Sequence, residues 1–243
     1  MSAVALPVAL SEVLARGDVW RGDALATLPA AAIPSGHAEL DAELPGGGWP
    51  RGNLTELLVD RGSVGELSLV LPALARLSGE GGWLALVAPP WQPHAPAWAA
   101  AGVALERLVV VDAGRDIAWS IEQLLACGGF AGVLAWPDEG IDAKALRRLQ
   151  VAVEGRPVFA ALWRSTLAAA QASPAPLRLV LASDGQDLSV RILKRRGRPA
   201  SRPLRIAAAA LAAMPHPGRS SRVVAGPELS LVADRSPAAA SVV

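Results

Sequence analysis

Between an apolar run, Leu54–Val59, and an amphipathic one that starts near Val64 lies the segment Asp60-Arg-Gly-Ser-Val-Gly-Glu-Leu67. A phosphate-binding loop occupies this place in a strand–loop–helix unit, with the pattern G-x-x-x-x-G-K-[ST]. Its backbone N–H groups cradle phosphates, its Lys reaches the outer oxygens, and its hydroxyl binds Mg²⁺. Here Gly65 holds the second glycine position, but Asp60 stands at the first, Glu66 at the Lys and Leu67 at the Ser/Thr. A carboxylate in place of an ammonium repels a polyanion by about 4 kcal/mol at ~4 Å and an effective dielectric near 20. Leu67 offers no magnesium ligand. The segment therefore predicts a degenerate loop that binds no nucleotide, with no cofactor.

Other residue types capable of chemistry are dispersed. His37, His94 and His216 are far apart and have no partner at metal-ligand spacing, so no metal site is expected. Ser63 and Ser68 flank Glu66 without a nucleophile elbow or a His partner, and Ser63 suits a helix N-cap better. Cys127, in Leu-Leu-Ala-Cys-Gly-Gly, reads as a packed thiol at the end of a buried helix. No catalytic residue is expected.

One dense basic run stands out: Arg191, Lys194, Arg195, Arg196, Arg198, Arg202 and Arg205. It could contact phosphates or an acidic partner. Equally, its charges could guard an edge strand against strand addition, and the residues leave both readings open. Aromatics that would stack bases are missing around it.

The elements that would position these groups alternate short apolar runs with amphipathic ones. Strands are predicted at Leu54–Val59, Trp83–Ala88, Leu108–Val111, Gly132–Trp136 and Val158–Trp163. Helices are predicted at Val64–Leu77 (with Pro72 as a kink), Ala95–Ala101, around Ile117–Leu125, and at Ala143–Val153. Strands that are apolar throughout and separated by helices imply a parallel sheet covered on both faces. Leu177–Ala182 and Leu188–Leu193, joined by Ser183-Asp-Gly-Gln186, read as an antiparallel hairpin. Trp91 and Trp98 flank a Pro-rich loop, and Trp136 and Trp163 end strands. All four fall on the C-terminal edge of the sheet, where α/β proteins bind ligands. They are candidates either for partner contacts or for core that fills a vacated phosphate pocket.

Composition bounds the rest. The 243 residues are 52% hydrophobic and 19% charged with net charge +1, which suits a sizeable core and argues against a generally basic coat. A single cysteine excludes an internal disulfide. Arginine supplies all but two of the 23 basic residues, a bias that points to a GC-rich genome. No signal peptide or spanning segment is apparent, so a cytoplasmic location is expected.

The entry Ile33-Pro-Ser-Gly-His-Ala-Glu-Leu-Asp41, followed by Leu44-Pro-Gly-Gly-Gly-Trp-Pro-Arg-Gly-Asn-Leu-Thr-Glu56, resembles the start of the RecA recombinase core. With Arg16-Gly-Asp-Val-Trp-Arg21 and Gly65-Glu-Leu-Ser-Leu-Val-Leu-Pro72, the chain is more specifically similar to the ImuA family, RecA-like components of bacterial mutagenesis cassettes. The likeness runs over roughly residues 10–206. It implies an α/β, three-layer RecA-like core at 33–206 with a mostly parallel sheet and a C-terminal antiparallel hairpin. A short N-terminal helical arm and linker would occupy 1–32, and a low-complexity, disordered tail 207–243.

Measured against that family's nucleotide elements, the chain departs twice more. The strand that should end in a magnesium-binding Asp ends in Trp136-Pro137, and Pro89-Pro90 stand where the catalytic Glu would follow its strand. The resemblance therefore implies a non-catalytic accessory factor in the SOS-type DNA damage response and error-prone translesion synthesis. Its implied partners are an inactive Y-family-like polymerase, an error-prone replicative-type DNA polymerase, and RecA itself. RecA-type proteins pack an N-terminal element on a neighbour, which makes Val13, Leu14, Val19 and Trp20 partner-binding candidates and self-association a further expectation. Two rivals are a SulA-like cell-division inhibitor and a divergent RecA-type DNA-dependent ATPase.

Overall fold

The computed structural model describes residues 32–60, 65–137, 141–183, 187–197 and 202–207. The proposed arm, with Val13, Leu14, Val19 and Trp20, lies outside the described residues. So do Ser63, Arg198 and all of the proposed tail beyond Ala207.

Among the described residues eight strands form one sheet in the order β3-β2-β4-β5-β1-β6-β7-β8. These are β1 (Asn53–Val59), β2 (Trp83–Val87), β3 (Leu108–Val111), β4 (Phe130–Ala135), β5 (Phe159–Ser165), β6 (Leu177–Ser183), β7 (Asp187–Lys194) and β8 (Leu204–Ala207). From β3 to β6 every pairing is parallel. The β6–β7 and β7–β8 pairings are antiparallel. The expected parallel sheet and terminal hairpin are both present.

Period-two alternation sorts the side chains between two cores. Leu57, Leu86, Leu134, Phe159 and Leu179 face one layer with α2 (Leu71–Gly79) and α1 (Ala38–Glu43). Leu54, Ala85, Val133, Ala160 and Leu162 face the other, against α4 (Ile117–Ala126) and α5 (Ala143–Val153). The short α3 (Ala95–Ala100) buries Trp98 in the first layer. Helix α5 forms where the pattern places it: Ala145, Leu146, Leu149 and Val153 are buried, and the Asp142 carboxylate accepts from Ala145 N at 2.6 Å as N-cap.

Three expectations need correction. The helix predicted from Val64 begins at Leu71, and Pro72 lies in its first turn instead of kinking it. A first-turn proline forfeits no intrahelical bond, because that N–H has no helical acceptor. Residues 65–70 are turns, with Ser68 N donating to Gly65 O at 3.1 Å and Val70 N to Leu67 O at 3.0 Å. Cys127 is exposed, at the C-cap of α4 before Gly128, and its thiol lies 3.3 Å from Leu124 O. Strand β8 is unforeseen: among Arg202-Pro-Leu-Arg-Ile-Ala207 only Ile206 is buried, which leaves no alternation to read.

The turn-rich entry closes the N-terminal end of β1. Ile33 and Trp49 form an antiparallel bridge, with Ile33 N donating to Trp49 O at 2.9 Å and Trp49 N to Ile33 O at 2.7 Å. A Cβ on Gly48 would stand 2.2 Å from Ile33 O, so no larger residue fits. Trp49 is fully buried against Phe159, with ring centroids 5.8 Å apart.

Candidate functional site

Strand β1 brings Asp60, the first residue of the segment read from the sequence as a degenerate phosphate loop, to the C-terminal edge of the sheet. Asp60 is exposed, and its carboxylate accepts from the Thr166 hydroxyl of the 3-10 turn Thr166–Ala170 that follows β5. Residues 61–64 lie outside the described set. Gly65 has φ +92°, in the region that favours glycine. Glu66 is half-buried, and burial raises its carboxyl pKa above the ordinary value against the opposing pull of a backbone hydrogen bond. Leu67 packs on the core.

In a working loop the helix that follows aims its first amides at phosphate oxygens. Here α2 starts at Leu71, five residues beyond Glu66 in the numbering, and Pro72 removes one of those amides. Gly36 of the entry segment lies against that first turn, close enough that a Cβ would sit 2.7 Å from Pro72 Cβ.

Neighbouring strand ends are filled by indoles. Trp136 follows β4 and Trp163 lies in β5, and the β4–β5 register sets them side by side. Their rings stack with centroids 4.7 Å apart and an interplanar angle of 19°. Trp163 is 2% exposed, and its indole N–H has no hydrogen-bond partner among the described residues. Trp136 is half-buried. At β2 the chain leaves through Ala88, at φ +49°, and Pro89-Pro90. Beyond it an open cleft of about 620 Å³ runs along edge strand β3, lined by Ala88, Pro89, Trp91, Trp98, Val110 and Asp112 among others. Trp91 is 84% exposed and Trp98 buried. Of the four tryptophans singled out from the sequence, two are core, one half-buried, and Trp91 projects into solvent.

A group that sequence reasoning missed lies beneath this edge. Glu56, fully buried in mid-β1, accepts from Arg164 Nη1 of β5 at 3.0 Å and from Arg178 Nε of β6 at 2.5 Å. The Ser173 hydroxyl donates to the same carboxylate at 2.9 Å. Arg178 also donates to Ala168 O at 2.7 Å and Gln171 O at 3.1 Å, and Arg164 to Gln171 Oε1 at 3.0 Å. Two arginines thus fasten the segment after β5 to the sheet. A Glu inside an apolar strand was the available signal, since a buried carboxylate requires partners.

The basic run is divided by the fold. Arg191 and Arg196 are exposed, and Lys194 donates to Ser173 O at 2.8 Å. The Arg195 side chain is only 2% exposed and pairs with Glu43 at 2.5 Å, so it is a structural tie and not part of a surface patch. Arg205 of β8 stands 3.9 Å from Asp187. His37 is buried, and burial lowers its pKa against the opposing effect of Asp41. Among the described residues no group of three His, Cys, Asp or Glu is arranged to hold a metal. No helix among them is long and apolar enough to cross a membrane.

The fold defines the class: an α/β protein with a RecA-like core. The family described as the MT3502 N-terminal domain matches residues 42–158, from within α1 to the residue before β5. The chain is also similar to Protein RecA of Chlorobaculum parvum, 39% identical over 79 residues. That match covers 32% of this chain and 22% of that protein, so it spans about a fifth of the relative's length. It supports a RecA-like relationship.

Proposed function

We propose that this protein is a non-catalytic assembly factor of error-prone translesion synthesis within the DNA damage response, working through protein contacts and without ATP. The observation that carries the ATP-free part is the junction between β1 and α2. Glu66 stands where an ammonium is needed, and α2 begins five residues later with Pro72 in its first turn. Each feature removes a different contribution to phosphate binding: the attracting charge and the aligned amides. The stacked Trp136 and Trp163 add bulk at the ends of the strands where a metal-binding Asp would stand. The translesion part rests on the ImuA-like motifs read from the sequence and is supported at the coarser level by the RecA likeness. The partners are an inactive Y-family-like polymerase, an error-prone replicative-type polymerase and RecA, and the site of action is cytoplasmic.

Two measurements test this. A tagged full-length chain recovered from cells after DNA damage should carry both polymerases with it; recovery of neither, in cells that express them, overturns the assembly role. Titration with MgATP should give no binding up to ~1 mM, an affinity of about −4 kcal/mol. The RecA likeness is the observation that favours the ATPase rival. Mg²⁺-dependent turnover lost on Gly65→Val would establish that rival instead.

A further inference from the structure

The two ends of the sheet are finished differently. Around β1 and β5 both faces are buried. At the other end one face of β7 and β8 buries Leu188, Val190, Ile192 and Ile206 in the core that also holds Leu40 and Leu44 of the entry segment. The opposite face alternates outward, with Arg191 exposed in mid-β7 and Arg205 exposed opposite Ser189.

This end also concentrates charge. Residues 187–197 and 202–207 carry Arg191, Lys194, Arg195, Arg196, Arg202 and Arg205 against Asp187, six positive and one negative, or +5. The whole chain is +1, so everything else sums to −4. With Arg195 held internally by Glu43, the surface of this end retains five cations and one carboxylate.

We propose that the outward face of β7–β8 and its rim bind the phosphate backbone of a nucleic acid without reading its bases. Four of the five surface cations are arginine, whose planar fork matches phosphate oxygens better than an ammonium does. No aromatic residue occurs between Leu177 and Ala207, so the face has nothing on which to stack a base. A membrane surface fits less well, because among the described residues the exposed large apolar side chains (Trp91, Val110, Trp119, Val151 and Leu167) all belong to other elements. The outlying parts of this chain are poor occupants by charge. Residues 208–243 hold three arginines against Glu228 and Asp234, and residues 1–31 hold two arginines against Glu12, Asp18 and Asp23. The proposal does not rest on the assembly-factor reading.

The test is fluorescence anisotropy of labelled 30-mer DNA, single-stranded and duplex, with the full chain over a salt series. Binding should weaken linearly in log salt with a slope of roughly −3 to −4, as about four phosphate contacts require. Arg191→Glu/Arg202→Glu should lower affinity at least tenfold and flatten the slope. Lys144→Glu/Arg147→Glu, the same charge change on the exposed side of α5, should alter it less than threefold. Circular dichroism confirms that each variant is folded. The proposal is overturned if the wild-type chain fails to bind at low salt or if both double variants weaken binding equally. Capture of anionic phospholipid vesicles through Arg191 and Arg202, with DNA left unbound, also overturns it.

Discussion

Arg178 Nε lies 2.5 Å from Glu56 Oε2 between neighbouring parallel strands, and both side chains are almost wholly removed from solvent. The two residues are directly opposite in register, so the contact is fixed by the β1–β6 pairing itself. Glu56 shares its charge with two guanidiniums, and the remaining arginine donors reach oxygens of the segment after β5. Removing the carboxylate leaves both cations buried and uncompensated. Glu56→Leu should therefore cost about 3–5 kcal/mol, the usual penalty for breaking a buried pair from one side. Chemical denaturation would measure it. A triple replacement with apolar residues at Glu56, Arg164 and Arg178 should recover part of that loss.

The Trp136–Trp163 stack separates core from surface at the C-terminal edge of the sheet. Trp163 is buried and Trp136 half-buried. Trp163→Ala should destabilise by roughly 3–5 kcal/mol, the range for deleting a buried large aromatic. Trp136→Ala loses the stacking and less burial, so its cost should fall below that of Trp163→Ala. If Trp136→Ala proves the more damaging in denaturant titrations, Trp163 is not the anchor of the stack.

Gly48 tests the entry segment independently of any side-chain chemistry. Its missing Cβ is what lets Ile33 and Trp49 exchange both backbone hydrogen bonds. Gly48→Ala should separate that pair and expose Trp49, lowering stability by about 1–3 kcal/mol as overpacked sites do. A red shift in tryptophan emission should accompany it. Gly47→Ala, one residue earlier and open on the Cβ side, incurs only the strain of its φ of +76°.

Much of this fold is legible because local pattern and tertiary role agree. Ala143–Val153 shows its apolar stripe within a dozen residues, and the observed helix has those bounds. The apolar strands and the final hairpin announce themselves in the same way. Pro72 misleads because a proline reads alike as a kink or a first-turn residue, and only the true start of α2 decides. Strand β8 stays hidden because its place depends on pairing with β7, not on its own composition. Glu56 is the instructive miss: its partners lie 108 and 122 residues away, and nothing local distinguishes them from solvated arginines. Conversely, Arg195 looks like surface charge and is a buried tie to Glu43. Thus the ionic cluster around Glu56 could not be read from residue types alone, because it required the register of three strands.

Glu66 and His37 give the protein opposing responses to acid. Burial raises the Glu66 carboxyl, so the folded state holds its proton more tightly than the unfolded chain does. Its ionised form therefore destabilises at neutral pH, and that penalty fades as pH falls through the raised folded pKa towards about 4.5. Glu66→Gln should raise the Tm at pH 7.5, with the advantage gone at the acid end. His37 has the reverse sign. Its folded pKa lies below the ordinary value of 6.5, so the unfolded chain takes the proton first. Stability is lost as pH drops below about 6.5, and the loss levels off only under the lowered folded pKa. His37→Gln should flatten the dependence of Tm on pH between pH 7 and 5, measured with Glu66→Gln as background. A His37→Gln profile identical to that of the background would show that the imidazole is not the titrating group.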